Sequence, residues 1–147
     1  MPSIKEREAR RGTGWLRDAF PELQKDTPDL ITALKKGLPA DRVDKLKVSL
    51  DVPTAEIADL LSIPSSTLAR RRQAGRLDKN ESERTYRIAH LMLRAAEVFG
   101  SVERGRQWLK QPQFALGGAK PVEFADTEPG AREVEDLLVR IEHGIPA

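Results

Sequence analysis

The apolar positions of this chain recur at three- and four-residue intervals, and alternating apolar and polar strand patterns are nearly absent. The pattern predicts an all-α fold. Residues 14–36 hold two short helices around Pro21 and Pro28, each suited to a break or a first turn. Leu30, Ile31 and Leu34 give the second of these an apolar stripe. Gly37-Leu38-Pro39 stops it, and a helix over 40–50 follows, with Val43, Leu46, Val48 and Leu50 as its apolar side. After Pro53, Thr54 is expected to cap a helix with Ile57, Leu60 and Leu61 on one face and Ala58 small enough for a close crossing. That helix stops within Ser62-Ile63-Pro64. Ser65 or Ser66 then caps a second short helix, Thr67 to about Gln73, with Gly75 just past its end.

Asp78 with Glu81 three residues on reads as a variant capping box. It opens a long helix over about 79–99, closed by Gly100. Ile88, Leu91, Met92, Ala95, Ala96, Val98 and Phe99 make a stripe wider than a surface helix needs. A central core helix is the preferred reading and a dimer contact the alternative. Ser101 caps the next helix, through Trp108 and Leu109, and Pro112 stops it. Gly117-Gly118 permits a tight turn with positive φ. Thr127 caps a last helix, about 130–143, in which Val134, Leu137, Leu138 and Ile141 share one face.

The segment from Pro53 to Gly75 carries the chemistry. Two short helices, a tight turn, a small residue at Ala58 and an inward Leu68 satisfy the requirements of a helix-turn-helix. Helical geometry leaves Ser65, Ser66, Ala69, Arg70 and Gln73 facing out, at the end of the motif that enters the major groove. The expected DNA-binding set is Ser65, Ser66, Thr67, Ala69, Arg70, Arg71, Arg72, Gln73 and Arg76. Short hydroxyls and Arg70 suit base edges, guanine above all. Arg71, Arg72 and Arg76 suit phosphates, which give affinity without sequence information. Two departures stand out. Ser62 occupies a turn position that often takes glycine, and Arg71 one that often buries an aliphatic, where its stem would have to fill the space. Any αα-hairpin with a basic second helix gives the same pattern.

The charge distribution sharpens this picture. Net charge is +2, but residues 64–94 carry 8 basic against 3 acidic side chains and residues 121–147 carry 2 against 7. A basic middle suits a polyanion and an acidic end suits a different partner; solvated helix faces are the plainer explanation of both. At 147 residues the chain is one domain, or two small ones sharing a core. The boundaries expected are 1–36 for an arm and short helices, 37–78 for the helix-turn-helix and 79–147 for a helical dimerisation and partner-binding part.

No apolar run is long enough to span a membrane, and charges crowd the first residues where a signal peptide needs an apolar stretch. With no cysteine there is neither disulfide nor thiolate chemistry, which fits a cytoplasmic setting. His90 and His143 are the only histidines, so no metal site is expected, nor any cofactor. Without a paired His, a glycine-rich phosphate loop or a Ser-His-Asp order, the chain does not read as an enzyme.

Several ordered pieces resemble the MbcA/ParS/Xre antitoxin family. They are Gly37-Leu38-Pro39, Glu56-Ile57-Ala58, Ser66-Thr67-Leu68-Ala69-Arg70-Arg71-Arg72 and Glu81-Ser82-Glu83-Arg84. Further on come Val98-Phe99-Gly100, Trp108-Leu109 with Pro112, Ala115-Leu116-Gly117-Gly118, Pro121, Thr127-Glu128 with Gly130, and Arg140-Ile141-Glu142-His143-Gly144. The resemblance covers about residues 37–147. It implies a Cro/Xre-like DNA-binding part followed by a C-terminal toxin-binding part. It also implies a homodimer, a RES-domain toxin partner that degrades NAD and whose cleft the antitoxin covers, and repression of its own operon DNA. The expected toxin-binding residues are Val134, Leu137, Leu138, Ile141, Glu142, His143 and Ile145, on an acidic helix that could dock on a basic NAD cleft; completing the chain's own core is the other use of that face. A helix-turn-helix repressor without a toxin is the alternative function.

Overall fold

The computed structural model describes Ser3, Ile4 and residues 12–145. Most of the expected N-terminal arm, and Pro146 and Ala147, lie outside these. Among the described residues every regular element is helical, as the periodicity requires: α1 Gly14–Ala19, α2 Thr27–Lys36, α3 Asp41–Leu50, α4 Thr54–Leu60, α5 Ser65–Ala74, α6 Lys79–Phe99, α7 Val102–Leu109, α8 Pro121–Phe124 and α9 Glu128–Glu142. The one extended feature among them is an isolated bridge between Pro39 and Arg76, with Leu77 N–H donating to Leu38 O at 2.9 Å and Ala40 N–H to Gly75 O at 3.0 Å.

The described residues divide into two compact units, one of residues 17–89 and one of residues 90–145 with the described residues before Arg17. In the first, α3 packs on α4 and α4 on α5. Its core holds Leu38, Val43, Leu46, Leu50, Ile57, Leu61, Ile63, Leu68 and Leu77, all buried. Val48, expected on the apolar side of α3, is 60% exposed. Val43, Leu46 and Leu50 follow the i, i+3, i+7 rule, and Val48 falls well off that line. Helix α2 buries none of its residues fully, so Leu30, Ile31 and Leu34 form a stripe that this unit leaves partly uncovered.

Two polar ties fix this unit. Arg42 grips the buried Glu22 through Nε and Nη2 at 2.9–3.2 Å, holding the turn before α2 against α3. Ser82 on α6 accepts the Leu38 N–H at 2.8 Å, and both residues are buried.

In the second unit α7 packs on α8 and α8 on α9. Met92, Ala95, Ala96, Leu109, Val122, Ala125, Val134, Leu137 and Leu138 form its core. The stripe on α6 is thus core, as preferred from the sequence, with Phe99 half-buried and its ring tilted at 34° to that of Trp108, centroids 5.4 Å apart. At Gly130 the start of α9 lies so close to Phe124 O that any Cβ would collide with it. Ser101 and Thr127 cap their helices through Arg104 N and Gly130 N, as expected.

Replacing Ser82 by Ala should orphan the buried Leu38 N–H and cost about 1–3 kcal/mol. Urea denaturation of the full chain measures this; an unshifted midpoint would show that the amide finds another partner.

Candidate nucleic-acid interface and the C-terminal unit

Helix α4 ends at Leu60, and the chain reverses through Leu61-Ser62-Ile63-Pro64. Ser62 takes the left-handed conformation with φ 54°, a strained position that glycine would occupy without cost. Ile63 N–H closes the turn on Ala58 O at 2.9 Å. Arg84 on α6 donates to Leu61 O at 2.6 Å, satisfying a carbonyl at the end of α4.

Helix α5 begins at Ser65, not Thr67, and no side chain caps it. The reason is Pro64. Its ring fixes φ at −57° and its extended ψ of 145° lets the helix start on the next residue, so Leu68 N–H bonds to Pro64 O at 2.9 Å. Ser65 and Ser66 are therefore first-turn residues with exposed side chains, not caps. Thr54 likewise is the first residue of its helix rather than its cap. Leu68 is the one residue of α5 that is fully buried. Burial of a leucine is worth about 1.5–3 kcal/mol, so it anchors the helix to the unit.

The outward face matches the one expected: Ser65, Ser66, Ala69, Arg70 and Gln73 are exposed, with Arg72 and Arg76, while Thr67 and Arg71 are half-buried. The arginines differ sharply in what holds them. Arg71 donates through Nε to Glu81 Oε1 at 2.8 Å and through Nη2 to Asp78 Oδ2 at 3.3 Å. Arg72 donates to Asp44 Oδ1 at 2.6 Å, and Arg76 to Gly37 O at 2.6 Å. Arg70 bonds the Thr67 hydroxyl at 3.2 Å and, among the described residues, pairs with no carboxylate. The three arginines assigned to phosphates thus have internal partners, and the one assigned to a base edge is held by its own helix.

Glu81 does double duty. Besides receiving Arg71, its Oε1 accepts Asp78 N–H at 2.9 Å while Asp78 Oδ1 accepts Glu81 N–H at 2.7 Å. The capping box read from the sequence is present and reciprocal. The resembling segment Glu81-Ser82-Glu83-Arg84 therefore ties α6 to the end of α5, to Leu38 and to the end of α4.

In the C-terminal unit, the seven residues expected to meet a toxin fall into two sets. Val134, Leu137 and Leu138 are at most 1% exposed and complete the unit's own core. Ile141 is half-buried, and Glu142, His143 and Ile145 are exposed. Glu142 faces Arg94 of α6 at 3.5 Å. One turn back on α6, His90 Nε2 lies 3.1 Å from Glu135. Burial lowers the His90 pKa below its ordinary value; Glu135 opposes this, Arg94 adds to it, and Glu97 opposes it.

One exposed residue escaped the sequence reading. Phe114 is 97% exposed, in the 3-10 turn Phe114–Leu116. A lone phenylalanine in a sequence reads as core, so nothing marked it.

Two short helices joined by a tight turn, with a polar and basic second helix facing out, have the form of a helix-turn-helix DNA-binding domain. Comparison with known proteins carries this further. Residues 29–90 match the antitoxin Xre-like helix-turn-helix domain, and residues 94–144 match the antitoxin Xre/MbcA/ParS C-terminal toxin-binding domain. The chain is 38% identical over 119 residues to "Antitoxin Xre" of Yersinia enterocolitica, covering 79% of this chain and 80% of that one. It is 34% identical over 133 residues to "Antitoxin Xre" of Photorhabdus laumondii, covering 89% and 88%. It is 28% identical over 145 residues to the "Prs ADP-ribosylating antitoxin" of a Sphingobium species, covering 91% of each. The chain belongs to the Xre antitoxin family, with a helix-turn-helix domain and a C-terminal toxin-binding domain. Among the described residues no helix is long and apolar enough to cross a membrane, and no cluster of His, Asp or Glu is arranged to hold a metal.

The His90 environment sets a pH dependence. Its folded pKa lies below the unfolded value of about 6.5, so the unfolded state takes up the proton first. The His90 contribution is intact above that value and is lost as pH falls below it. Thermal melts at pH 7.5 and at pH 5.5 should show a drop that His90→Gln reduces. An equal drop in the variant would place the pH sensitivity elsewhere.

Proposed function

We propose that this chain neutralises a RES-type toxin that degrades NAD, by covering the toxin's active-site cleft, and represses its own operon. The observation that carries the reading is the pairing, in one chain, of an outward α5 with a matched toxin-binding domain over residues 94–144. The resemblance noted above supplies the RES toxin. The Sphingobium relative supports an NAD-using partner, because ADP-ribosylation, the chemistry in that protein's name, takes its ADP-ribose from NAD. It also favours a second form of the reading, in which the toxin transfers ADP-ribose to a protein rather than hydrolysing NAD.

On DNA, Ser65, Ser66, Thr67, Ala69, Arg70 and Gln73 face the major groove, and Arg70 reads a base. Arg71, Arg72 and Arg76 hold phosphates: Arg72 and Arg76 after exchanging their internal partners, and Arg71 through its Nη atoms while its Nε keeps the buried Glu81. A homodimer presents two such helices to half-sites one helical turn, about 34 Å, apart. On the toxin, Ile141, Glu142, His143 and Ile145 contribute directly, whereas Val134, Leu137 and Leu138 act by keeping the unit folded. The protein works in the cytoplasm, needs no cofactor and catalyses nothing itself.

The test is co-expression with the product of the adjacent reading frame and purification through a tag on this chain. A stable partner whose expression alone depletes cellular NAD, with protection restored by this chain, is the expected result. A protein modified by a mass of one ADP-ribose would select the second form. No partner, with operator binding retained, would leave a stand-alone repressor. Arg70→Ala should cost about 1–3 kcal/mol on operator DNA and little on unrelated DNA. Arg72→Ala should weaken both alike and flatten the salt dependence, as measured by fluorescence anisotropy. Equal losses for the two variants on both DNAs would remove the base-reading role. Deleting residues 143–147, which spares the core, should weaken protection of cells carrying the toxin. Undiminished protection would take His143 and Ile145 out of the interface.

A further inference from the structure

Residues 113–119 form a small closed loop. Gln113 N–H donates to Ala119 O at 3.0 Å, Gly118 N–H to Gln113 O at 2.9 Å, and Gly117 N–H to Phe114 O at 3.0 Å. Gly117 and Gly118 both take positive φ, 67° and 87°, which lets the chain turn so tightly. The loop holds Phe114 out at 97% exposure. An exposed phenylalanine forgoes the roughly 1.5–3 kcal/mol that burial would supply. Displayed on a hydrogen-bonded turn, it has already lost the backbone freedom that binding would otherwise take away.

The residue that closes the loop, Ala119, also lines a groove of about 490 Å³ running to the start of α9. Ala119, Phe124 and Pro129 give the groove apolar walls, and Glu123, Asp126 and Glu133 stand along it. Glu123 and Glu133 are exposed. Over residues 119–133 the chain carries four acidic side chains against two basic ones. Gly130 and Phe124 both line the groove, and α9 starts so close to Phe124 O that a Cβ at Gly130 would collide with it. Groove and loop both fall inside the stretch matched to a toxin-binding domain.

We infer that Phe114 and the acid-edged groove beside it form a docking surface for the toxin, with Phe114 filling an apolar pocket on the toxin and the carboxylates facing lysine or arginine side chains around that pocket. This rests on the toxin-binding reading and adds to it a surface built from residues other than 141–145. The division of labour follows from the chemistry. A buried aromatic anchor sets the lifetime of a complex, and charges on the rim set its rate of formation.

The test uses the full chain and the toxin that co-purifies with it, the toxin carried as an inactive variant. Phe114→Ala should weaken the complex at least about tenfold, mainly through faster dissociation. The double variant Glu123→Lys with Glu133→Lys should slow association several-fold and blunt its dependence on salt, by roughly the same reasoning. Both are surface changes, so melting temperature and operator binding should match the wild type. Toxin affinity within about twofold of wild type in both variants would overturn the inference. So would variants that lose self-association while keeping toxin affinity, since the occupant would then be a second copy of this chain. Failure of the wild-type chain to hold any toxin would instead refute the reading beneath, before a variant is made.

Discussion

The arrangement around Glu81 governs the N-terminal unit. This carboxylate is 4% exposed, so its charge needs partners, and it has two: the Asp78 N–H that starts α6 and the Arg71 guanidinium near the end of α5. A buried acid with one partner removed is costly, whereas the pair in place is nearly neutral in stability. Its effect is to specify geometry. Arg71 is drawn back toward α6, which turns Ala69, Arg70 and Gln73 outward. Arg84 and Ser82 on the same turn of α6 fix Leu61 O and Leu38 N–H. One short segment thus sets the pose of both helices of the motif.

The same economy limits the electrostatics of the outward face of α5. Residues 64–94 look strongly basic when charges are counted, but Arg71 and Arg72 are engaged with carboxylates and Arg76 with a carbonyl. A partner that already carries a charge reduces what a phosphate gains by replacing it. Exposed pairs such as Arg72–Asp44 are worth little and exchange readily, so they do not bar phosphate contact. Asp78 and Glu81 are already among the acidic side chains counted there, so Asp44 alone lowers the charge of this face further.

Local chemistry was legible in the sequence, and long-range pairing was not. The capping residues Asp78, Ser101 and Thr127 declare themselves because a cap and its amide lie three residues apart. The left-handed turn at Ser62 and the long core stripe of α6 were legible for similar reasons. The start of α5 was misread because Pro64 and two serines compete for one role, and proline's fixed φ decides it. Arg72 meets Asp44 across 28 residues, and no periodicity encodes such a contact. Nor does any pattern separate a phenylalanine that is buried, like Phe20, from one that is displayed, like Phe114.

Helix α9 shows why amphipathic helices mislead about partners. Its apolar face has the spacing that docking helices use, and so does every helix that closes its own core. Burial decides between them: Val134, Leu137 and Leu138 are spent on the fold, leaving Glu133, Asp136 and Glu142 outward. An interface made of such carboxylates alone would be fast to form and quick to break, because exposed charges steer encounter but add little affinity. An inhibitor that must stay on its target needs an apolar anchor as well. Among the described residues of this unit the large hydrophobic side chain held farthest into solvent is Phe114, and its loop joins the acidic groove through Ala119 rather than the helix the sequence recommends.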